Sequence, residues 1–262
     1  MSLIESIILG IIQGLTEFLP VSSSGHLEIG KALLNVELEE NLSFTVMVHF
    51  ATVLSTITVF FKEIKILFFD VLKFKWNTST KYFVKILISM IPVLVVGTFF
   101  QDKVEALFTG KLILVGAALL VTALLLFLTT LVKAEGTKKI PFSDAFVMGI
   151  AQAMAVIPGL SRSGSTIATG LLLKNKRDDV ARFSFLMVLI PIIGAALLKL
   201  LKWSDTPAGG FDILPLIAGF LAAYISGYLA CRWMINIVKR GKLIWFAIYC
   251  ASVGIISIFF SL

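Results

Sequence analysis

The chain has 262 residues, of which 58% are hydrophobic and only 15% charged, with a mean hydropathy of +0.98; these values exclude a water-soluble domain and describe an all-α integral membrane protein. The net charge of +7 does not point to a nucleic-acid partner, because the lysines and arginines gather in short loops instead of a basic stripe with interleaved aromatics. Only two cysteines occur, Cys231 and Cys250, both within apolar runs, which leaves no disulfide framework and no Cys/His metal spacing.

The chain starts MSLIESIILGIIQGL, without the basic n-region or small-residue cleavage site of a secretory signal, so this segment is expected to remain in the protein. It opens the first apolar region, Leu3 to Leu34, which is broken by the polar stretch PVSSSGH. After that break only Gly25 to Leu34 remains, about 15 Å of helix at roughly 1.5 Å per residue, too short to cross. A span needs about 20 mostly apolar residues. Leu42 to Phe61, Phe83 to Phe100 and Leu112 to Val132 meet that test. A second broken region follows, Phe142 to Leu173 around PGLSRSGST, and then three further spans: Phe183 to Leu201, Ile213 to Cys231 and Leu243 to Leu262.

Charge assigns sides. Lys62 to Lys81 and Arg232 to Lys242 are rich in lysine and arginine and are expected in the cytoplasm, the former as a solvated connection anchored at the interface by Trp76. Counting inward from both ends places Lys133 to Lys139 and Lys174 to Arg182 there too. These flank the second broken region, which therefore turns back, and the acidic connection Glu37 to Glu40 falls outside. If the first broken region also turns back, the N-terminus lies outside.

The two broken regions match each other. Gly10, Gln13, Ser22, Ser24 and Gly25 fall on Gly149, Gln152, Ser161, Ser163 and Gly164 at a constant offset of 139, the separation of Gly10 from Gly149. Each region precedes three spans, and an odd number of crossings separates them. The chain thus reads as one membrane domain over 1–262, six transmembrane helices plus two re-entrant hairpins, built as an inverted repeat of roughly 1–132 and 140–262.

Irregular backbone is tolerated at membrane depth only when buried in protein or lining a watery cavity. The two tips are therefore expected to meet near the midplane, their return helices starting at SSSGH and SRSGST with serine hydroxyls as caps. Helix N-termini beside Arg162, a planar and permanently charged fork, form an anion site suited to phosphate. Gln13 and Glu17 share a helix face leading into the serines. Glu17 could hold a hard cation such as Mg²⁺ or Ca²⁺, or act as general acid or base. His26 offers a proton donor, and one of the serines could be a nucleophile activated by it, or the serines only position phosphate. His49, early in a span, reads as a packing or interface histidine and stays outside the catalytic set.

At these residues the sequence resembles the bacterial undecaprenyl-diphosphatase family, the bacitracin-resistance proteins. The family's first motif, Glu or Gln four residues before a Glu, is similar to Gln13 and Glu17 followed by FLPVSSSGH, and its second, PGxSRSxxT, to PGLSRSGST at Pro158 to Thr166. The resemblance implies a lipid phosphatase of the bacterial cytoplasmic (inner) membrane. Its activity would be to remove the terminal phosphate of undecaprenyl diphosphate at a site open to the extracytoplasmic side, with a divalent cation assisting. It implies Glu17, His26, Arg162 and Ser23 as catalytic residues, with Glu17 toward the metal. Ser22, Ser24, Ser161, Ser163, Thr166 and Gln13 would surround the phosphates. Gln13 stands at a position where the family pattern admits Glu or Gln; it cannot act as an acid or base and is a poorer metal ligand, which leaves that role to Glu17. The partners so implied are the isoprenoid diphosphate lipid and the bilayer, and a homodimer is compatible with the pattern. The rival reading is a carrier or flippase of a phosphorylated isoprenoid, which would need the positive clamp but gains little from a carboxylate facing the same anion.

Overall fold

In a computed structural model of the chain, residues 1–34, 42–100, 103, 104, 106, 112–132, 136–194 and 213–261 are described. Among them the structure is helical, with a single isolated bridge between Lys138 and Asn175 as its β pairing. The first broken region forms α1 (Leu3–Phe18) and α2 (Ser23–Leu34). Ser2 starts α1 through a reciprocal capping box with Glu5, each side chain accepting from the other residue's backbone N–H at 3.3 and 2.9 Å.

The next stretch departs from the sequence reading. α3 (Leu42–Val59) is followed at once by α4 (Phe61–Val71), and the two are bent by 78°. The segment expected as a solvated connection is thus largely a helix turned across the direction of α3. Its composition explains this. Lys62, Glu63 and Lys65 alternate with Ile66, Phe68 and Phe69, which are 59%, 60% and 53% exposed, a pattern suited to the membrane surface rather than to water or to a span.

α5 (Thr78–Phe99), α6 (Leu112–Leu131) and α10 (Ile213–Arg240) realise three of the expected spans, and each is long and apolar enough to cross a membrane; α3 with α4 makes a fourth candidate. The protein is a multi-pass membrane protein. The second broken region gives α7 (Phe142–Met154) and α8 (Arg162–Leu172), followed by α9 (Arg177–Met187), a turn at Val188 and helical residues 189–194. The expected span to Leu201 therefore begins within α9 and passes beyond the described residues, as do Glu37 to Glu40. The last expected span is the apolar helix α11 (Ile244–Phe259).

Glycines set the closest helix approaches. α1 packs on α10, where a Cβ on Gly10 would come within 2.3 Å of the Gly219 carbonyl oxygen. α7 packs on α5, where a Cβ on Gly149 would come within 2.3 Å of the Ser89 carbonyl oxygen. α6 and α11 cross at Gly116 and Gly254, each of whose missing Cβ would strike the other's carbonyl oxygen at 2.7 and 2.8 Å. Small residues are what let helices associate closely where burial from water supplies no driving force. The main core, centred on Phe18, Leu119, Leu126, Met148, Ile167 and Phe183, draws on α1, α6, α7, α8 and α9.

Candidate functional site

Both tips turn by leaving right-handed helical space, at different residues. In the first, Ser22 takes φ +69°; in the second, Gly159 takes φ +92°. Each return helix is capped by the serine that the repeat pairs: Ser22 Oγ accepts from Gly25 N at 3.2 Å, and Ser161 Oγ accepts from Gly164 N at 3.0 Å. The tips touch. A Cβ on Gly25 would lie 3.2 Å from Gly159 Cα, and Ser163 Oγ donates to the Leu19 carbonyl oxygen at 3.2 Å.

The centre of the site is an ion pair across this junction, between the Arg162 guanidinium at the first turn of α8 and the Glu17 carboxylate at the end of α1. Glu17 is buried, whereas Arg162 keeps about a quarter of its side-chain surface open. The second carboxylate oxygen of Glu17 accepts from Ser23 Oγ at 2.8 Å and from Gln13 Nε2 at 2.9 Å. Gln13 is fully buried, and its own carbonyl oxygen Oε1 has no hydrogen-bond partner. A narrow pocket of about 10 Å³ lies beside the pair, lined by Glu17, Arg162, Ser163 and Thr166 on its polar side and by Phe18, Phe185 and Ile192 on its apolar side. A charged clamp with an apolar wall is the arrangement that a phosphate head on a hydrocarbon tail requires.

The expected residues do not all converge. Gln13, Glu17, Ser23 and Arg162 form one bonded cluster, and Ser163 and Thr166 join the pocket wall, the Thr166 hydroxyl 2.6 Å from Ser184 Oγ. Ser161 contributes its cap and lies 3.4 Å from Ser163 Oγ, while Ser22 and Ser24 pair with each other at 3.3 Å. His26 faces elsewhere. Its Nδ1 is 2.9 Å from the Ser22 carbonyl oxygen, and its Nε2 is 2.8 Å from the Tyr249 hydroxyl, over whose ring it stacks. Both ring nitrogens are thus engaged, and the base in contact with a serine is Glu17 on Ser23.

Other groups at the site were not singled out from sequence. Thr52 and Thr56 of α3 and Ser184 of α9 line the pocket, and Thr122 Oγ1 accepts from Ser161 N at 2.9 Å; His49, read from sequence as a packing or interface histidine, interacts electrostatically with Glu17. A signal for the α3 set does exist. Thr52, Ser55 and Thr56 form a polar stripe at helical spacing inside an otherwise apolar span.

The sequence profile of the family described as bacitracin resistance protein BacA matches residues 6–256. The chain belongs to this family. It is 57% identical over 257 residues to an undecaprenyl-diphosphatase of Bacteroides fragilis, covering 97% of this chain and 96% of that protein. Similar relatives carrying the same name come from Parabacteroides distasonis, 56% identical with 98% of each chain covered, and from Christiangramia forsetii, 52% identical with 100% and 99% covered. Nearly the whole chain, both tips included, therefore lies within the matched region.

Proposed function

We propose that this BacA-family protein is an undecaprenyl-diphosphate phosphatase of the bacterial cytoplasmic membrane. It hydrolyses undecaprenyl diphosphate to undecaprenyl phosphate and inorganic phosphate, which recycles the cell-wall lipid carrier and confers bacitracin resistance. The observation that carries this reading beyond family membership is the Glu17–Arg162 pair joining two helix-breaking tips beside a serine that donates to the same carboxylate.

An incoming diphosphate competes with Glu17 for Arg162. The guanidinium turns its paired donors to phosphate oxygens, where it stabilises the charge that builds as the anhydride bond breaks. Ser163 and Thr166 line the same pocket and orient those oxygens, while the α8 N-terminus points its dipole toward them. Glu17, released from Arg162 but still bonded to Ser23, is placed to take a proton from the attacking oxygen, whether that oxygen is Ser23 Oγ or a water in its place. Ser23→Ala separates the two, since attack by water survives the loss of the hydroxyl. His26 and Tyr249 form a hydrogen-bonded pair at the back of the first tip, and the contact of His26 Nδ1 with the Ser22 carbonyl oxygen holds the serine turn in place.

Among the described residues no three His, Cys, Asp or Glu side chains cluster to cage a metal. A divalent cation such as Mg²⁺ or Ca²⁺ would instead be held by few protein oxygens. Glu17 and the unpartnered Gln13 Oε1 offer two hard oxygen donors on one helix face, and Mg²⁺ commonly takes one or two protein oxygens with phosphate oxygens completing its shell. When bound, such an ion would neutralise diphosphate charge.

The same proposal includes six spans with two re-entrant hairpins in inverted repeat and a site open to the extracytoplasmic side. Supporting the repeat, α1 and α2 lie one offset from α7 and α8. The α1–α10 and α5–α7 packings correspond to each other, and Gly116 and Gly254 meet where a two-fold axis would pass. The test is phosphate release from a long-chain isoprenyl diphosphate by detergent-purified protein, with and without Mg²⁺ or Ca²⁺, beside Arg162→Ala. Arg162-dependent release is expected. Saturable binding without release would make the protein a carrier of phosphorylated isoprenoids.

A further inference from the structure

A second cavity, wider than the pocket at the tips, lies where α10 turns into α11. α10 ends in a Schellman turn, with Lys242 N donating to the Ile237 carbonyl oxygen at 3.3 Å, Gly241 N to that of Val238 at 3.0 Å, and Gly241 at φ +66°. The reversal sets the last turns of α10 beside the first turns of α11 and leaves a half-open cleft of about 620 Å³ between them. Trp233 and Arg240 come from one side and Trp245, Phe246 and Tyr249 from the other, with Lys242 at the turn. Trp233 and Trp245 are 57% and 70% exposed, so the walls face the surroundings of the protein rather than its core.

Charge and aromatics select the occupant. Arg240 and Lys242 have no acidic partner within ion-pair distance among the described residues, whereas neighbouring Lys239 is paired with Asp178 at 2.8 Å. Two uncompensated cations above an aromatic-walled cavity, at a basic helix turn expected on the cytoplasmic side, match a lipid whose phosphate sits at the interface and whose chains descend along the walls. We infer that this cavity is a binding site for an anionic phospholipid of the cytoplasmic leaflet, separate from the pocket at Glu17 and Arg162. A zwitterionic lipid would bring its own cation against Arg240 and Lys242 and is disfavoured there. Tyr249 belongs to both the cavity wall and the His26 contact, so the lipid sits one side chain from the first tip.

The probe is phosphatidylglycerol, with phosphatidylcholine as the neutral comparison. Full-length protein in neutral detergent is titrated with each lipid and read by native mass spectrometry, and brominated phosphatidylglycerol is read by quenching of tryptophan fluorescence. The expected result is one retained phosphatidylglycerol, at least about tenfold weaker binding in R240Q/K242Q, and quenching that disappears in W233F/W245F. K73Q/K75Q, which removes charges from the separate α4 end, should leave retention unchanged and controls for general surface attraction. Equal retention by R240Q/K242Q, or equal binding of phosphatidylcholine, would overturn the assignment. So would displacement of the brominated lipid by a polyisoprenyl monophosphate at equimolar ratio, which would mark the cavity as an isoprenoid site.

Discussion

The two tips are copies of one device put to different use. In both, a helix stops, the chain makes one residue of left-handed turn, and a capped return helix begins. Position by position they diverge where chemistry is needed. Glu17 of the first tip stands opposite Val156 of the second at the repeat offset, and Ser23 stands opposite Arg162. The acid comes from one tip and the cation from the other, and the site exists only where the two meet. An exactly symmetric pair would place like beside like, either two carboxylates or two guanidiniums, and neither arrangement both clamps a phosphate and removes a proton.

This division makes the contributions separable. Arg162→Ala should cost the most, about a thousandfold or more in turnover per folded molecule, since it removes the paired donors that face the phosphate. It also leaves Glu17 buried without its counter-charge, a loss of about 3–5 kcal/mol in stability by analogy with broken buried pairs, so thermal unfolding in detergent is measured alongside phosphate release. Arg162→Lys keeps the charge but not the planar fork and should recover stability more than turnover. Glu17→Gln should lower turnover about a hundredfold or more while substrate binding survives, because Arg162 is then free for phosphate. Ordinary phosphate release by folded Glu17→Gln protein would remove Glu17 from the proton transfer and leave its tip a purely structural partner.

Much of the architecture and part of the site are legible in the sequence. The membrane class followed from composition, three spans from runs of about 20 apolar residues, and the serine caps from the SSSGH and SRSGST stretches, because capping is local and depends on side chains within three residues. Glu17 and Arg162 stood out because ionised groups are expensive in an apolar region. What escaped was set by packing across long sequence distances. His26 lies against Tyr249, more than two hundred residues away, and no local pattern announces that contact. The lysines of α4 read in sequence as topology signals of a solvated connection, and its phenylalanines make a face only once the segment is helical. Ser184 and Thr122 were invisible because single hydroxyls in apolar helices usually bond their own backbone, and only the fold brings these two to the second tip.

The turns themselves offer the next contrast. Gly159 is required twice over, by its φ of +92° and by the Val115 carbonyl oxygen that a Cβ would meet at 2.5 Å. Gly159→Ala should therefore destabilise the second tip by about 2–4 kcal/mol, read as a lowered unfolding temperature, with turnover falling in step as Arg162 loses its position. The second half is also held at its base, where Asp178 meets Lys239 at 2.8 Å and Arg182 at 3.2 Å. Burial by itself would raise the Asp178 carboxyl, but these two cations hold it below its ordinary range. The folded value lies under the unfolded one, so the stabilisation is complete above about pH 4 and is lost as pH falls through the folded value. Asp178→Asn should cost up to about 1 kcal/mol at neutral pH, and the difference from the parent protein should close in acid.

Ser22 tests whether the first tip tolerates what the second cannot. Its φ of +69° strains a residue with a Cβ, by about 1 kcal/mol, while its hydroxyl caps α2. Glycine relieves the strain and, as an N-cap, gives back most of the lost hydrogen bond, so Ser22→Gly should change stability by only a few tenths of a kcal/mol, in contrast to Gly159→Ala. Alanine keeps the strain and loses the cap, and Ser22→Ala should cost about 1 kcal/mol. Turnover in the glycine variant then reports on the hydroxyl alone. Unchanged phosphate release would assign Ser22 to the turn, and a fall of tenfold with stability preserved would place its hydroxyl on the substrate phosphate.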